Sequence, residues 1–441
     1  MRRSIAISAV VVGLMSATNL SGAEDLSSMF SEGKASGQIR EFSIVRNIDK
    51  SAAADTSRSA NAIGGHLKFE TAAYNGLSFG TAIYTTNGFL MPDVDVDTTE
   101  DPTLLGKNND SYSILGEAYL QYKSGNTLFK GGRQKLDTPL AGSDDARMLP
   151  NLFEAYLLIN NDIKNTTLIA GHATRFAQGT FGRAYGTGGL LGVTGGYSAV
   201  DASNQVGEFT NMGKYAIGQE TNGVSVVAAS YKNGNFKAQL WDYYAHDIVN
   251  AIYADASVSW TCLLSDSVKP FAAVQVISES EIGDKYAGSV SGLYYGAKVG
   301  AKVGSFTAYA AYSKTSENSA GETTENAILS PWGGMPAYTQ GMVTRHMFLA
   351  GTTATKVAAS YSFKDVGLKA VAYYASYSMD KNNGYTNGDA SETGFDFIYN
   401  TKFAKNLQLR LRGNFADDFK VIAAGNTIGW SEYRFIANYS F

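Results

Sequence analysis

Arg410 and Arg412 alternate with Leu407, Leu409 and Leu411, and Arg434 stands between Tyr433 and Phe435. In an extended chain successive side chains point to opposite faces, so these guanidiniums lie opposite an apolar face. A guanidinium is always charged and presents a fork that matches a carboxylate, so a row of them along a water-filled path attracts carboxylates and passes them on. Lys298 and Lys302 alternate in the same way with Val299, Ala301 and Val303, and Lys356 occupies a further segment of this kind. Arg40 lies in the first such segment, with a facing that the pattern leaves open. Lys130 and Arg133 are three residues apart and so point to opposite faces unless the strand bulges. The plainer alternative is a solvated wall whose bases are balanced by acids.

Other chemistry is thinly supported. Asp93, Asp95 and Asp97 alternate in a loop, but an EF-hand needs Gly where Thr98 stands and Glu where Leu104 stands, so a solvated acidic loop is expected rather than a Ca²⁺ site. Gly186-Thr187-Gly188-Gly189 lacks the dinucleotide-binding spacing. His66, His172, His246 and His346 are scattered, and no G-x-S-x-G is present, so no enzyme, metal site or cofactor is expected. The single Cys262 excludes an internal disulfide framework.

The elements that carry these residues are strands. The chain ends on Tyr433, Phe435, Ala437, Tyr439 and Phe441 on one face, against Glu432, Arg434, Asn438 and Ser440 on the other, with Ile436 the apolar exception. Phe395, Phe397, Tyr399 and Phe403 likewise oppose Asp396, Asn400 and Lys402, with Ile398 an exception. Hairpins are marked by Asn75-Gly76, Ser124-Gly125-Asn126 and Asn233-Gly234-Asn235 between alternating runs. Extending the reading gives strands over 37–46, 62–74, 77–86, 112–123, 127–134, 152–160, 166–175, 224–232, 236–245, 250–263, 268–278, 291–303, 305–315, 353–363, 368–377, 393–403, 407–415 and 432–441, about eighteen in all. Residues 25–36 are expected to form a short turn or helix before them.

Connections within hairpins are short. Those between hairpins, at 47–61, 87–111, 135–151, 176–223, 279–290, 316–352, 378–392 and 416–431, are long, with a short exception at 246–249. Short turns on one rim, long loops on the other, and charges on the wet face specify an all-β transmembrane antiparallel β-barrel. The 27 Tyr, 22 Phe, 47 Gly and only 7 Pro suit it. Strands of about ten residues, tilted near 40°, span roughly 25 Å, and eighteen enclose a cylinder roughly 35–40 Å across. Left open, that is a poorly selective hole, so inward-folded loops are expected to narrow it.

The N-terminus reads as a secretory signal peptide over 1–23: Arg2-Arg3, an apolar core from Ile5 to Met15, and Ser21-Gly22-Ala23 before Glu24. Cleavage there removes two of the 36 basic residues and none of the 40 acidic ones, moving the net charge from −4 to −6. A mildly acidic chain gives no support for nucleic-acid binding. The barrel domain is expected over 24–441.

The run Gly132-Arg133-Gln134-Lys135-Leu136-Asp137-Thr138-Pro139-Leu140, continued by Ser143-Asp144-Asp145-Ala146-Arg147-Met148-Leu149-Pro150-Asn151, resembles the third loop of the OprD-like outer-membrane porin family. Gly33-Lys34-Ala35-Ser36-Gly37-Gln38-Ile39-Arg40 is similar to that family's first strand, and Pro331-Trp332-Gly333-Gly334 is a weaker match. The resemblance implies 18-stranded channels in the bacterial outer membrane, monomeric or trimeric, narrowed by the third loop. It also implies a ladder of basic side chains that guides small solutes, often carboxylates, and it favours Arg133 over Lys130 for that ladder. The very long connection at 176–223 departs from the family pattern.

Within that frame Asp144, Asp145 and Arg147 sit in the constriction loop. Acids facing a basic wall set up a transverse field, or Arg147 pairs with one Asp to hold the loop down. The expectation is a porin for passive, selective diffusion of small solutes, carboxylates or amino acids, in contact with outer-membrane lipid. Arg410, Arg412, Arg434, Arg40, Arg133, Lys130, Lys298, Lys302 and Lys356 line the path. The alternative is a surface adhesin or receptor barrel that binds a partner through its long loops.

Overall fold

A computed structural model of the chain describes residues 22–50, 56–89, 100–185, 188–322, 324–385, 388–421 and 426–441. Most of the expected signal peptide, the acidic loop with Asp93, Asp95 and Asp97, and part of the Gly186–Gly189 run lie outside the described residues.

The short helix expected near the start is α1 (Leu26–Ser31), closed by a capping box in which Asp25 accepts from the Ser28 amide at 2.7 Å. Strands then follow to the end. They are β1 (Lys34–Lys50), β2 (Thr56–Glu70), β3 (Leu77–Gly88), β4 (Tyr112–Ser124), β5 (Thr127–Gln134), β6 (Leu152–Asn160) and β7 (Thr166–Ala177). After the two-residue β8 (Thr210–Asn211) come β9 (Val224–Asn233), β10 (Phe236–Ala245), β11 (Val249–Ser259), β12 (Val268–Ser280), β13 (Leu293–Val303) and β14 (Phe306–Thr315). The last five are β15 (Thr353–Phe363), β16 (Leu368–Ser378), β17 (Ala390–Asn400), β18 (Leu407–Val421) and β19 (Thr427–Ser440).

Each strand pairs antiparallel with its neighbour in sequence, except that β7 pairs with β9 directly and β8 adds a two-residue ladder beside it. β19 returns to β1 in a register from Gln38↔Ser440 to Lys50↔Ile428, so eighteen strands close with no free edge. Closure satisfies every strand's hydrogen bonds within the sheet, which a hydrocarbon surround demands. Asn75-Gly76 turns the β2–β3 hairpin with φ of 49° and 84°, a left-handed pair that Asn and Gly tolerate.

Several boundaries differ from the pattern. β1 and β2 continue to Lys50 and from Thr56, and β18 and β19 to Val421 and from Thr427, so the long connections expected at 47–61 and 416–431 are mostly tall hairpins. Their upper residues carry no apolar alternation, and in β18 the ladder to β19 is interrupted at Asp417-Asp418 before pairing resumes at Lys420↔Ile428. At the other rim β11 stops at Ser259, leaving Cys262 in a turn, and β17 stops at Asn400, leaving Phe403 in a turn.

The outward faces are apolar, with Ile39, Val45, Leu67, Val227, Val299, Tyr433, Phe435 and Phe441 among the exposed residues. The inward faces are less uniformly polar than alternation suggests. Trp241, Tyr243, Tyr253, Tyr294 and Tyr377 point inward and are buried among loop residues Leu136, Met212, Tyr215, Trp332 and Phe348. Phe42, Ile44 and Ile436 point inward onto Met148 and Leu149. Burying such a side chain is worth about 1.5–3 kcal/mol, so the core of this barrel is the seam between its wall and its infolded loops.

Candidate passage and its charged wall

Three connections fold into the barrel and knit together: 135–151, the 178–223 segment with α2 (Gly182–Tyr185), α3 (Gly189–Thr194) and α4 (Met212–Ile217), and 316–352. The Pro331-Trp332-Gly333-Gly334 segment is the knot. The Gly142 amide donates to the Trp332 carbonyl at 3.0 Å, and Trp332 Nε1 donates to the Met212 carbonyl at 3.2 Å. Gly334 has φ of 87°, and a Cβ there would meet the carbonyl oxygens of Pro139 and Thr138 at 2.6 Å, so only glycine lets the two loops touch.

The 336–345 stretch is fastened to the wall. Glu392 of β17 accepts from the backbone amides of Met342 (2.5 Å), Val343 (3.1 Å) and Thr344 (2.6 Å), and from the Tyr373 hydroxyl. The Gly341 amide donates to the Tyr377 hydroxyl at 2.7 Å, and Lys356 Nζ donates to the Gln340 carbonyl at 2.5 Å. A carboxylate with three backbone donors is a strong, directional anchor.

Behind this stretch the wall carries two acid-centred clusters. Asp396 of β17 receives Arg410 Nε at 2.8 Å and lies 3.3 Å from Arg412 Nε, with Arg412 its cross-strand partner in register. Glu432 of β19 receives Arg46 Nε at 2.7 Å, Arg147 Nη2 at 3.0 Å and the Arg434 guanidinium; Arg434 also donates to Asn414 Oδ1 at 3.1 Å. Among the arginines, side-chain exposure decides which can meet solute: 28% for Arg410 and 15% for Arg412, but 1% for Arg434 and 0% for Arg147.

Arg40 faces inward. Its guanidinium lies 2.6 Å from Asp145 Oδ1, donates from Nε to Asn438 Oδ1 at 2.8 Å, and meets the Arg147 carbonyl. Burial alone would raise the Asp145 carboxyl, but the Arg40 guanidinium holds it below the usual carboxylate value. Asp144 pairs at 3.2 Å with Arg345 of the 316–352 loop. The third-loop charges thus pair with the wall and with another loop, and Arg147 bonds Glu432 rather than an aspartate of its own loop. Glu432 and Asp396 were placed on polar faces by the sequence but, like Glu392, Arg46 and Arg345, were not among the expected path residues. For Asp396 the signal was present, because the β17–β18 hairpin register sets it opposite Arg412 on the polar face.

Lys130 and Arg133 do part company. Lys130 faces inward with Nζ 3.7 Å from the centre of the Tyr119 ring, whereas Arg133 stacks at 4.3 Å on Phe209 and lies 3.6 Å from Glu154. The pairing of β5 shows no register shift, so no bulge brings them to one face.

Lys298, Lys356 and Arg412 meet at one cavity of ≈ 420 Å³, bounded by 336–342 on one side and by the wall of β13–β18 on the other. Lys298 Nζ lies 4.1 Å from the centre of the Tyr338 ring, and Lys356 Nζ 4.5 Å from that of Tyr373. Lys302 lines a second cavity toward the short-turn rim, which Lys298 and Lys356 also reach. The residue range 135–151 does not line the first cavity; its wall is the 316–352 loop.

The sequence profile of the outer membrane porins of the OprD family matches residues 28–441. The chain belongs to that family. It is therefore an outer-membrane channel protein of bacteria, built as a β-barrel. No curated protein sequence matches it. Among solved structures, Pseudomonas aeruginosa OccK9 (OpdG) superposes with a TM-score of 0.75 at 20% identity, covering 94% of this chain and 99% of that one. P. aeruginosa OpdK with vanillate gives 0.72 at 15% identity over 92% and 98%. P. aeruginosa OccK2 (OpdF) in complex with glucuronate gives 0.70 at 16% identity over 94% and 99%. At such identities the superpositions establish the shared barrel.

Proposed function

We propose that this OprD-family porin lets small anionic solutes, carboxylates foremost, diffuse passively between the 336–342 stretch and the wall of β13–β18. The observation that carries the reading is the convergence of Lys298, Lys356 and Arg412 on one cavity closed by an anchored loop. Cations facing a water-filled space raise the local concentration of anions, and single hydrogen bonds to each let the solute move on. Vanillate and glucuronate, bound in the two related channels, are both carboxylates.

Roles divide by exposure. Arg410 and Arg412 offer part of their guanidiniums to the solute while Asp396 keeps them upright. Arg434, Arg147 and Arg46 are consumed by Glu432 and position the third loop. Arg40 and Asp145 do the same a step nearer the short-turn rim. Lys130 faces the lumen on the opposite flank, and Arg133 braces the 178–223 segment. Tyr433, Phe435, Tyr439 and Phe441 meet outer-membrane lipid. The inward packing of the long loops leaves little of them to serve the adhesin alternative.

The test is planar-bilayer recording with purified protein, joined to liposome swelling in acetate, succinate, amino acids and sugars. Discrete conductance steps with faster entry of carboxylates than of neutral sugars of similar mass are expected. A barrel that inserts and never conducts, or one that admits sugars as fast as carboxylates, refutes it.

A further inference from the structure

The arginines and the lysines of this lumen are in different electrostatic states. Asp396 serves Arg410 and Arg412, and Glu432 serves Arg46, Arg147 and Arg434. Toward the short-turn rim lies a cavity of ≈ 330 Å³ lined by Lys269, Lys298, Lys302, Lys356, Lys364 and Lys369, with no carboxylate in its lining. None of the six makes an ion pair within 4.0 Å among the described residues.

The register makes the concentration sharper. Lys269 of β12 and Lys302 of β13 are direct cross-strand partners and face the same cavity. Side chains so paired have Cβ atoms about 4.5–5.5 Å apart, and like charges there destabilise a sheet. The rest of the chain carries a net negative charge, so acids were at hand and are placed elsewhere. Ser360, Ser362 and Thr307 supply hydroxyl donors around the same space.

We propose that this basin is an exit site selective for solutes bearing two or more negative charges, in addition to the single-charge path described above. A monoanion bridging Lys269 and Lys302 leaves the remaining ammoniums unscreened. A dianion satisfies that pair with one group and reaches Lys369 or Lys364 with the other. The site deepens the channel reading and rests on it, since solute must pass the 336–342 stretch to arrive.

Its test is current block in planar bilayers by succinate and by pyrophosphate, each compared with acetate and added to either side in turn. With the wild-type channel, block by the two multiply charged probes is expected at concentrations at least about tenfold lower than by acetate, the effect of one further charge-assisted hydrogen bond. Block by succinate and pyrophosphate alike supports a site that reads charge, while block by only one of them marks recognition of carboxylate or phosphate geometry and overturns the charge-selective basin. In the K269Q/K302Q/K364Q/K369Q channel the dianion advantage is expected to vanish while conductance steps persist. A K302Q/K369Q channel, which alters only two side chains, is expected to lose part of it. Equal block by succinate and acetate in the wild type, or an undiminished advantage in the quadruple variant, overturns the basin and leaves the channel standing. A wild-type protein that never conducts overturns both.

Discussion

Glu392→Ala is expected to loosen the passage without harming the barrel. Glu392 lies on the inward face of β17, whose pairing with β16 and β18 is backbone work and survives the change. What is lost is the carboxylate that receives the amides of Met342, Val343 and Thr344. A hydrogen bond to a charged group is worth about 1.5–3 kcal/mol net. Three sharing one carboxylate are not additive, and water entering the space left by truncation recovers part, so roughly 3 kcal/mol is a fair measure of the loss. That is about a hundredfold in the ratio of docked to undocked loop. In planar bilayers the variant is expected to show larger or noisier unitary currents, and amides 342–344 to exchange hydrogen about a hundredfold faster, while heat-modifiable gel mobility stays that of the closed barrel. Glu392→Gln, which places an amide donor among amide donors, is expected to act in the same direction. Unchanged conductance, noise and exchange in both variants would refute the anchoring.

Glu432→Gln leaves Arg46, Arg147 and Arg434 without their shared carboxylate in a fully buried place; removing one partner of such a set costs about 3–5 kcal/mol, read as a lowered thermal transition and faster proteolysis after Arg147. Gly341→Ala brings a Cβ to 2.9 Å from the Glu392 carboxylate and is expected to reproduce part of the Glu392→Ala noise; wild-type traces would argue against that close approach. His346 in the 316–352 loop is buried, donates Nε2 to the Phe419 carbonyl at 2.7 Å, and has its pKa pushed down by burial from 6.5 to about 4. It is neutral when docked, so above pH 6.5 it costs nothing; as pH falls from 6.5 toward 4 the undocked loop takes up the proton and docking weakens, by about 3 kcal/mol at the lower end. Channel noise is expected to rise over that window and His346→Gln to flatten the dependence; noise rising with increasing pH would contradict it.

Much of the barrel was legible because a β-strand writes its burial into every second residue. The Asn75-Gly76 turn, the Leu407–Leu411 alternation and the aromatic run ending at Phe441 needed no tertiary information. The top of the barrel was not legible, since above the hydrocarbon both faces are wet and the β18 ladder is interrupted at Asp417-Asp418 before it resumes at Lys420. The site was legible in type but not in state. Arg410, Arg412 and Arg434 were recognisable as inward-facing, whereas the burial of Arg434 depends on Arg147 and Arg46, which arrive from remote segments to meet Glu432. The placement of 336–342 at the cavity was hidden for a similar reason: Gly341 and Met342 are unremarkable until Glu392, Tyr373 and Tyr377 come round the wall to hold them. Pro331-Trp332-Gly333-Gly334, the weakest stretch of family resemblance, proved to be the point where three loops meet.

The most direct measurement is the reversal potential in a KCl gradient for the wild-type channel and for a K298Q/K356Q/R412Q variant. The expected result is an anion-selective wild type whose preference collapses in the variant, with unitary conductance steps retained. A cation-selective wild type, or a reversal potential that does not move when these three charges are removed, would contradict the placement of the solute path along this wall.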